Sequence, residues 1–136
     1  MVCLQKEKKL NKVIASIVLY KHSYNDISVT LNCLLESDYI KKIILVDNDF
    51  SDWANTFKHE KLLYVKSEGN FGFGYGHNFA IQRYASESDL FLICNPDIRF
   101  EQSAFNQLAE FALQREEGLF LPKIIFEDNE NQFGAR

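Results

Sequence analysis

Asn95-Pro96-Asp97 follows directly on an apolar run at residues 90–94. A carboxylate at the end of a buried strand destabilises the fold unless it has a partner or reaches water. A hard cation bridging phosphate oxygens is one such partner. Mg²⁺ in phosphate sites takes only one or two protein carboxylates, and substrate oxygens and water complete its shell. Asp97, with Asn95 or a water beside it, meets that requirement. The same tripeptide also suits a plain turn whose Asp caps the next segment. A second unusual stretch is Asn70-Phe-Gly-Phe-Gly-Tyr-Gly-His-Asn78. Glycines at 72, 74 and 76 allow close backbone approach to a ligand. A helix N-terminus just beyond them would offer free N–H groups to a phosphate, with His77 or Asn78 adding side-chain donors. The alternative is a tight loop in which Phe71, Phe73 and Tyr75 simply pack.

Two more polar clusters complete the set. Asp47-Asn48-Asp49 closes an apolar run, and an acid there can accept from a base N–H or a ribose hydroxyl, as in dinucleotide folds. Tyr20-Lys21-His22 closes another and can stack on or bond a base. Either cluster is also an ordinary polar strand end. Other chemistries fit less well. The glycine spacing is G-x-G-x-G after the third strand, with no glycine loop after the first, which argues against a nicotinamide site. Cys94 lies within an apolar strand, where its thiolate is disfavoured. His22, His59 and His77 lack zinc-ligand spacing.

The elements that must position these groups alternate. Residues 14–20, 42–47, 62–65, 90–94 and 119–126 read as strands, the last interrupted by Pro122. Ser23 and Asp26 resemble a capping box, followed by Ile27, Leu31, Leu34 and Leu35 at helical spacing. A second helix is expected over about 78–84, after a loop at 67–78. A third is marked by Phe105, Leu108, Ala109 and Ala112. Strands alternating with helices predict an α/β fold with a mostly parallel sheet. In such sheets ligands sit outside the carboxyl ends of the strands, so all four polar clusters should converge on one edge.

Bulk properties set the frame. The chain has 136 residues, 46% hydrophobic and 25% charged, which suits a single domain with its own core. Residues 1–12 read as an N-terminal lead and 13–136 as the domain. A net charge of −4 argues against a nucleic-acid partner. The only basic cluster is Lys6, Lys8, Lys9 and Lys12, broken by Glu7. It suits a solvated lead with at most a weak attraction to anionic headgroups. Cys3, Cys33 and Cys94 form no CxxC pair, and Cys33 and Cys94 read as small buried hydrophobes of a reducing compartment. No apolar run reaches membrane-span length, and no signal peptide is evident. A cytoplasmic location is expected, peripheral at the inner face of the membrane if the basic lead engages lipid.

Taken in order, these segments resemble the family 2 glycosyltransferases, especially the rhamnosyltransferase-like group that builds bacterial surface polysaccharides. The matching features are Val18-Leu-Tyr20-Lys21-His22, Leu45-Val-Asp-Asn48 with Ser51-Asp52, Asn70 to Asn78, Leu92-Ile-Cys-Asn-Pro-Asp97, and Leu121-Pro-Lys123 leading to Gly134-Ala-Arg136. The resemblance implies a GT-A fold, Rossmann-like, with this chain covering the nucleotide-binding half and ending before the acceptor half. It implies inverting transfer of a sugar, rhamnose among the candidates, from a dTDP- or UDP-sugar to a saccharide or lipid-linked saccharide. By the resemblance, Asp97 would bind Mn²⁺ or Mg²⁺ in an Asn-Pro-Asp variant of the Asp-x-Asp motif, with Asn95 in place of the first Asp. Asp47 would hold the base and Tyr20 would line its pocket. Gly72, Gly74 and Asn78 would form the wall near the donor. The catalytic base of the family lies beyond the matched segments, and Glu127, Asp128 and Glu130, in a polar turn, are not assigned that role. A half-domain of this kind would expose a surface normally covered, so self-association is an expected consequence.

Overall fold

In the computed structural model, which describes residues 12–129 and 131–132, strand β1 (Val13–Leu19) is buried along its whole length. A β-branched apolar run covered on both faces behaves this way in a parallel sheet. Helix α1 (Tyr24–Leu35) opens on the expected capping box: the Asp26 amide donates to Ser23 Oγ, and the Ser23 amide donates to the Asp26 carboxylate at 2.7 Å. The shorter Asp thus replaces the usual Glu. Strand β2 (Ile40–Asp47), a short helix α2 (Asp52–Thr56) and strand β3 (Leu62–Lys66) follow. Helix α3 (Phe73–Tyr84) and a 3-10 turn (Ala85–Glu87) lead to β4 (Leu90–Ile93) and α4 (Gln102–Leu113).

The four strands form one parallel sheet in the order β3-β2-β1-β4. This is an α/β, Rossmann-like architecture. Alternate residues of β1 face opposite layers. Val13, Ala15, Ile17 and Leu19 pack with Ile43, Leu45, α1, Trp53 and Phe57, and with Phe105 and Ala109 of α4. Ile14, Val18, Ile44 and Val46 pack instead against Ala80 and Phe79 of α3. The chain therefore moves outward from β1 to β3 with helices on one face. It then crosses the other face through α3 to reach β4 on the far side of β1. That change of face accompanies the reversal of direction, as crossovers of constant hand require.

Two expectations are corrected. The helix expected from about residue 78 starts at Phe73, so Gly74 and Gly76 lie within it, despite the low helix propensity of glycine. Packing of Gly76 against the sheet, described below, overrides that propensity. The fifth strand expected at 119–126 shrinks to β5 (Ile124–Ile125), which pairs antiparallel with β6 (Asn131–Gln132) and not with the parallel sheet. Pro122 removes a ladder donor there, and Leu119 and Leu121 are largely exposed. Lys12 pairs with Asp89 at 3.2 Å. The rest of the basic lead, Glu130 and Gly134-Ala-Arg136 lie outside the described residues. No helix among the described residues is long and apolar enough to cross a membrane.

Candidate functional site

Register sets where a ligand could enter. β1 pairs with β4 only from Val13 to Ser16, but with β2 as far as Leu19 and Asp47. The last bond to the β4 side runs from the Cys94 amide to Ser16 O, at 3.0 Å. Beyond it the chain turns away as Asn95-Pro96-Asp97 while β1 continues for three residues. The two strands thus part at the carboxyl end, at the position of the crevice that such sheets form where the winding direction reverses. That is the place where open α/β sheets bind ligands. Asn95 and Asp97 are exposed at one lip and Tyr20 at the other.

The β1 end is tightly tied. The Tyr20 amide donates to His22 Nδ1 at 3.0 Å, and Trp53 Nε1 donates to His22 O at 2.9 Å. Lys21 takes φ 58 and places its Nζ 5.2 Å from the Tyr20 ring centre. Phe50, after β2, takes φ 66, with Lys66 Nζ 3.4 Å from its ring centre. Left-handed backbone at non-glycine residues is costly and concentrates at functional sites. Both of these residues stand at the carboxyl edge.

Asp47 is fully buried. Its Oδ1 accepts from the Asp49 amide at 3.0 Å and Ser51 Oγ at 3.5 Å. Its Oδ2 accepts from the Ser51 amide at 2.5 Å and the Tyr64 hydroxyl at 3.0 Å. A carboxylate offers about four acceptor positions, so this one is filled from within. Burial, with the Asp47 bond and charge added, pushes the Tyr64 hydroxyl up to about 12. The acid expected to hold a base thus folds the loop at 47–51. The adjacent Asn48 reaches further: its Nδ2 donates to Gly72 O at 3.4 Å, while its buried Oδ1 faces no donor among the described residues.

The glycines divide into three roles. Gly72 is the N-cap of α3, at φ 92, and no side chain among the described residues caps that end. Its own amide donates to Asn70 Oδ1 at 3.2 Å. This end of α3 follows the carboxyl end of β3, and an anion would be favoured at its first-turn amides. Gly74 has open space where a Cβ would go, whereas a Cβ at Gly76 would lie 2.7 Å from Val18 Cγ2. Gly76 lets α3 touch β1. Gly74→Ala is expected to stabilise the fold by about 0.5–1 kcal/mol. Gly76→Ala is expected to destabilise it by about 1–3 kcal/mol. Urea midpoints of the two variants check this pair.

Asn78 is exposed on α3. His77 is buried, with Nδ1 2.7 Å from Ser16 Oγ and Nε2 without a partner among the described residues. Burial pulls its pKa from 6.5 down to about 4. The folded form therefore resists the proton that the unfolded chain takes up near 6.5. Stability falls as pH drops from 6.5 through 4, by at most about 3 kcal/mol from this group. His77→Gln should remove that part of the slope in denaturant titrations run across the same pH range.

Cys94 is buried and its thiol is pushed up to about 12, by burial first and then by Asp97 and Cys33. It serves as core, as its apolar strand implied, while Cys33 is half-buried. Sequence reasoning missed Thr30, Asn48 as a link to Gly72, and Tyr64. Thr30 had a legible signal, a lone polar residue within the apolar stripe of α1. The other two depend on contacts between segments distant in sequence, Asn48 with Gly72 and Tyr64 of β3 with Asp47.

No group of three or more His, Cys, Asp or Glu positioned for a metal occurs among the described residues. A cation that relies on substrate oxygens needs no such group. The exposed Asp97 with Asn95 beside it fits one of this kind. In comparisons with known proteins, no family model matches the chain and no curated protein is significantly similar to it.

Proposed function

We propose that the crevice seats the nucleoside diphosphate of an activated sugar, and that the chain is the donor-binding part of an inverting glycosyltransferase. The observation carrying this reading is the divergence of β4 from β1, which leaves Asp97 exposed at the point where winding reverses. Tyr20 offers a ring to the base. The first turn of α3 faces anionic oxygens with free amides. Asp97, with Asn95, would hold Mn²⁺ or Mg²⁺, which as a Lewis acid offsets charge on a leaving diphosphate. The acceptor class, a saccharide or lipid-linked saccharide, follows from the family resemblance. A cytoplasmic site of action at the inner membrane face would suit such an acceptor.

A second reading is a module that holds nucleotide without turnover. It is favoured by the filled acceptor positions of Asp47, which leave a ligand one acid fewer than the family pattern implies.

The test is the thermal midpoint against dTDP, UDP, GDP and NAD, each with Mn²⁺, Mg²⁺ or chelator. A ligand at a hundred times its Kd stabilises by about 2.7 kcal/mol, a shift of several degrees. A metal-dependent shift with dTDP or UDP supports the donor site. No shift with any nucleotide in the folded protein overturns it. Release of nucleoside diphosphate from a responsive sugar donor then separates transfer from mere binding.

A further inference from the structure

Thr30 lies in the middle of α1, fully buried on the stripe formed by Ile27, Thr30, Leu31 and Leu34. Threonine inside a helix commonly returns its hydroxyl to a carbonyl one turn back. Here Oγ1 lies 2.7 Å from both Pro96 O and Ile98 O, the two carbonyls that bracket Asp97. A hydroxyl has one proton, so it donates to one carbonyl at a time while both converge on the same atom. The ring of Pro96 further restricts the chain just before Asp97. One turn along α1, Cys33 Sγ donates to Phe100 O at 3.6 Å, and Cys33 O accepts from Gln102 Nε2 at 2.8 Å. Positions 30 and 33 share a helix face. Together they fasten the loop after β4 at two points, with Thr30 at the carboxylate.

We propose that Thr30 is a positioning residue of the cation site: its hydroxyl fixes the backbone on both sides of Asp97, so that the exposed carboxylate is held toward the crevice. This rests on the donor-site reading above. α1 also begins at the loop bearing Tyr20, so one rigid element would set the distance between the two lips.

The test is a Mn²⁺ titration of protein saturated with UDP or dTDP, followed by calorimetry, beside nucleotide affinity in chelator. Thr30→Val keeps the shape and removes the hydroxyl. It should raise the Mn²⁺ half-saturation concentration by about 10-fold or more, as loss of a supporting bond behind a metal ligand does. Metal-free nucleotide affinity should stay within about 2-fold, and Thr30→Ser should restore metal half-saturation to within about 3-fold of the wild type. Gln102→Leu frees the far end of the loop and should leave the half-saturation unchanged. If Thr30→Val does not fold, Thr30→Ala carries the same expectation without a branched side chain. A wild-type half-saturation in the hydroxyl-free variant, or an equal loss with and without metal, overturns the assignment alone. If the wild-type protein binds nucleotide without any dependence on metal, the cation part of the donor-site reading falls and the assignment falls with it.

Discussion

Asp47→Ala should unfold the protein more readily before it reveals anything about ligands. Four donors now end on that carboxylate: two amides, the Ser51 hydroxyl and the Tyr64 hydroxyl. Removing it leaves these partly buried donors unpaired beside a small void, and the expected loss is about 3–5 kcal/mol. That corresponds to a fall in thermal midpoint of about 10–20 °C for a chain of this size. Asp47→Asn keeps one acceptor oxygen but puts an amide where a donor already points, so an intermediate loss is expected. Scanning calorimetry of both variants checks the order. An Asp47→Ala protein as stable as the wild type would mean that the carboxylate is free for a ligand after all.

Asp97→Ala should do the reverse. The residue is exposed, and among the described residues no bond from its side chain supports the fold in the way the Asp47 network does. Stability should therefore change by no more than about 0.5 kcal/mol. The loss should appear in the metal-dependent part of nucleotide binding. The extra midpoint shift produced by Mn²⁺ with dTDP or UDP should vanish, while any shift in chelator persists. A retained metal-dependent shift would remove Asp97 from the cation site. The two acids thus separate cleanly: one is read by calorimetry without ligand, the other only with it.

Much of this arrangement was legible from residue types. The apolar run at β1, the capping box at Ser23 and Asp26, and the strand ends at Asp47 and before Asn95 all follow from local pattern, and the sheet places them where that pattern implied. The α3 boundary was not legible, because glycine propensity argues for a loop, whereas the packing of Gly76 on Val18 depends on a strand some sixty residues earlier. The occupation of Asp47 was hidden for the same reason. Its partners include Tyr64 on another strand, and nothing in the run Asp47-Asn48-Asp49 distinguishes a carboxylate turned inward from one turned toward a ligand. The apolar stretch at 119–126 looked like a strand, but Pro122 and the absence of a facing partner in the parallel sheet leave only its two isoleucines in a ladder.

The two lips of the crevice hang from strands of unequal strength. β1 is central, paired on both sides and buried throughout, whereas β4 is a four-residue strand that, among the described residues, lies at the edge with one pairing neighbour. Amide hydrogen exchange should therefore be slowest along β1 and markedly faster along β4, since short edge segments open at lower free energy than the core. In such an opening the Tyr20 lip stays in place while β4 detaches and Asp97 is left to the bonds from Thr30, so the protein would pass through a species that is folded by most probes yet has half of its rim loosened. A ligand bridging both lips would slow exchange at β4 far more than at β1, and that asymmetry would register its binding without any change in overall structure.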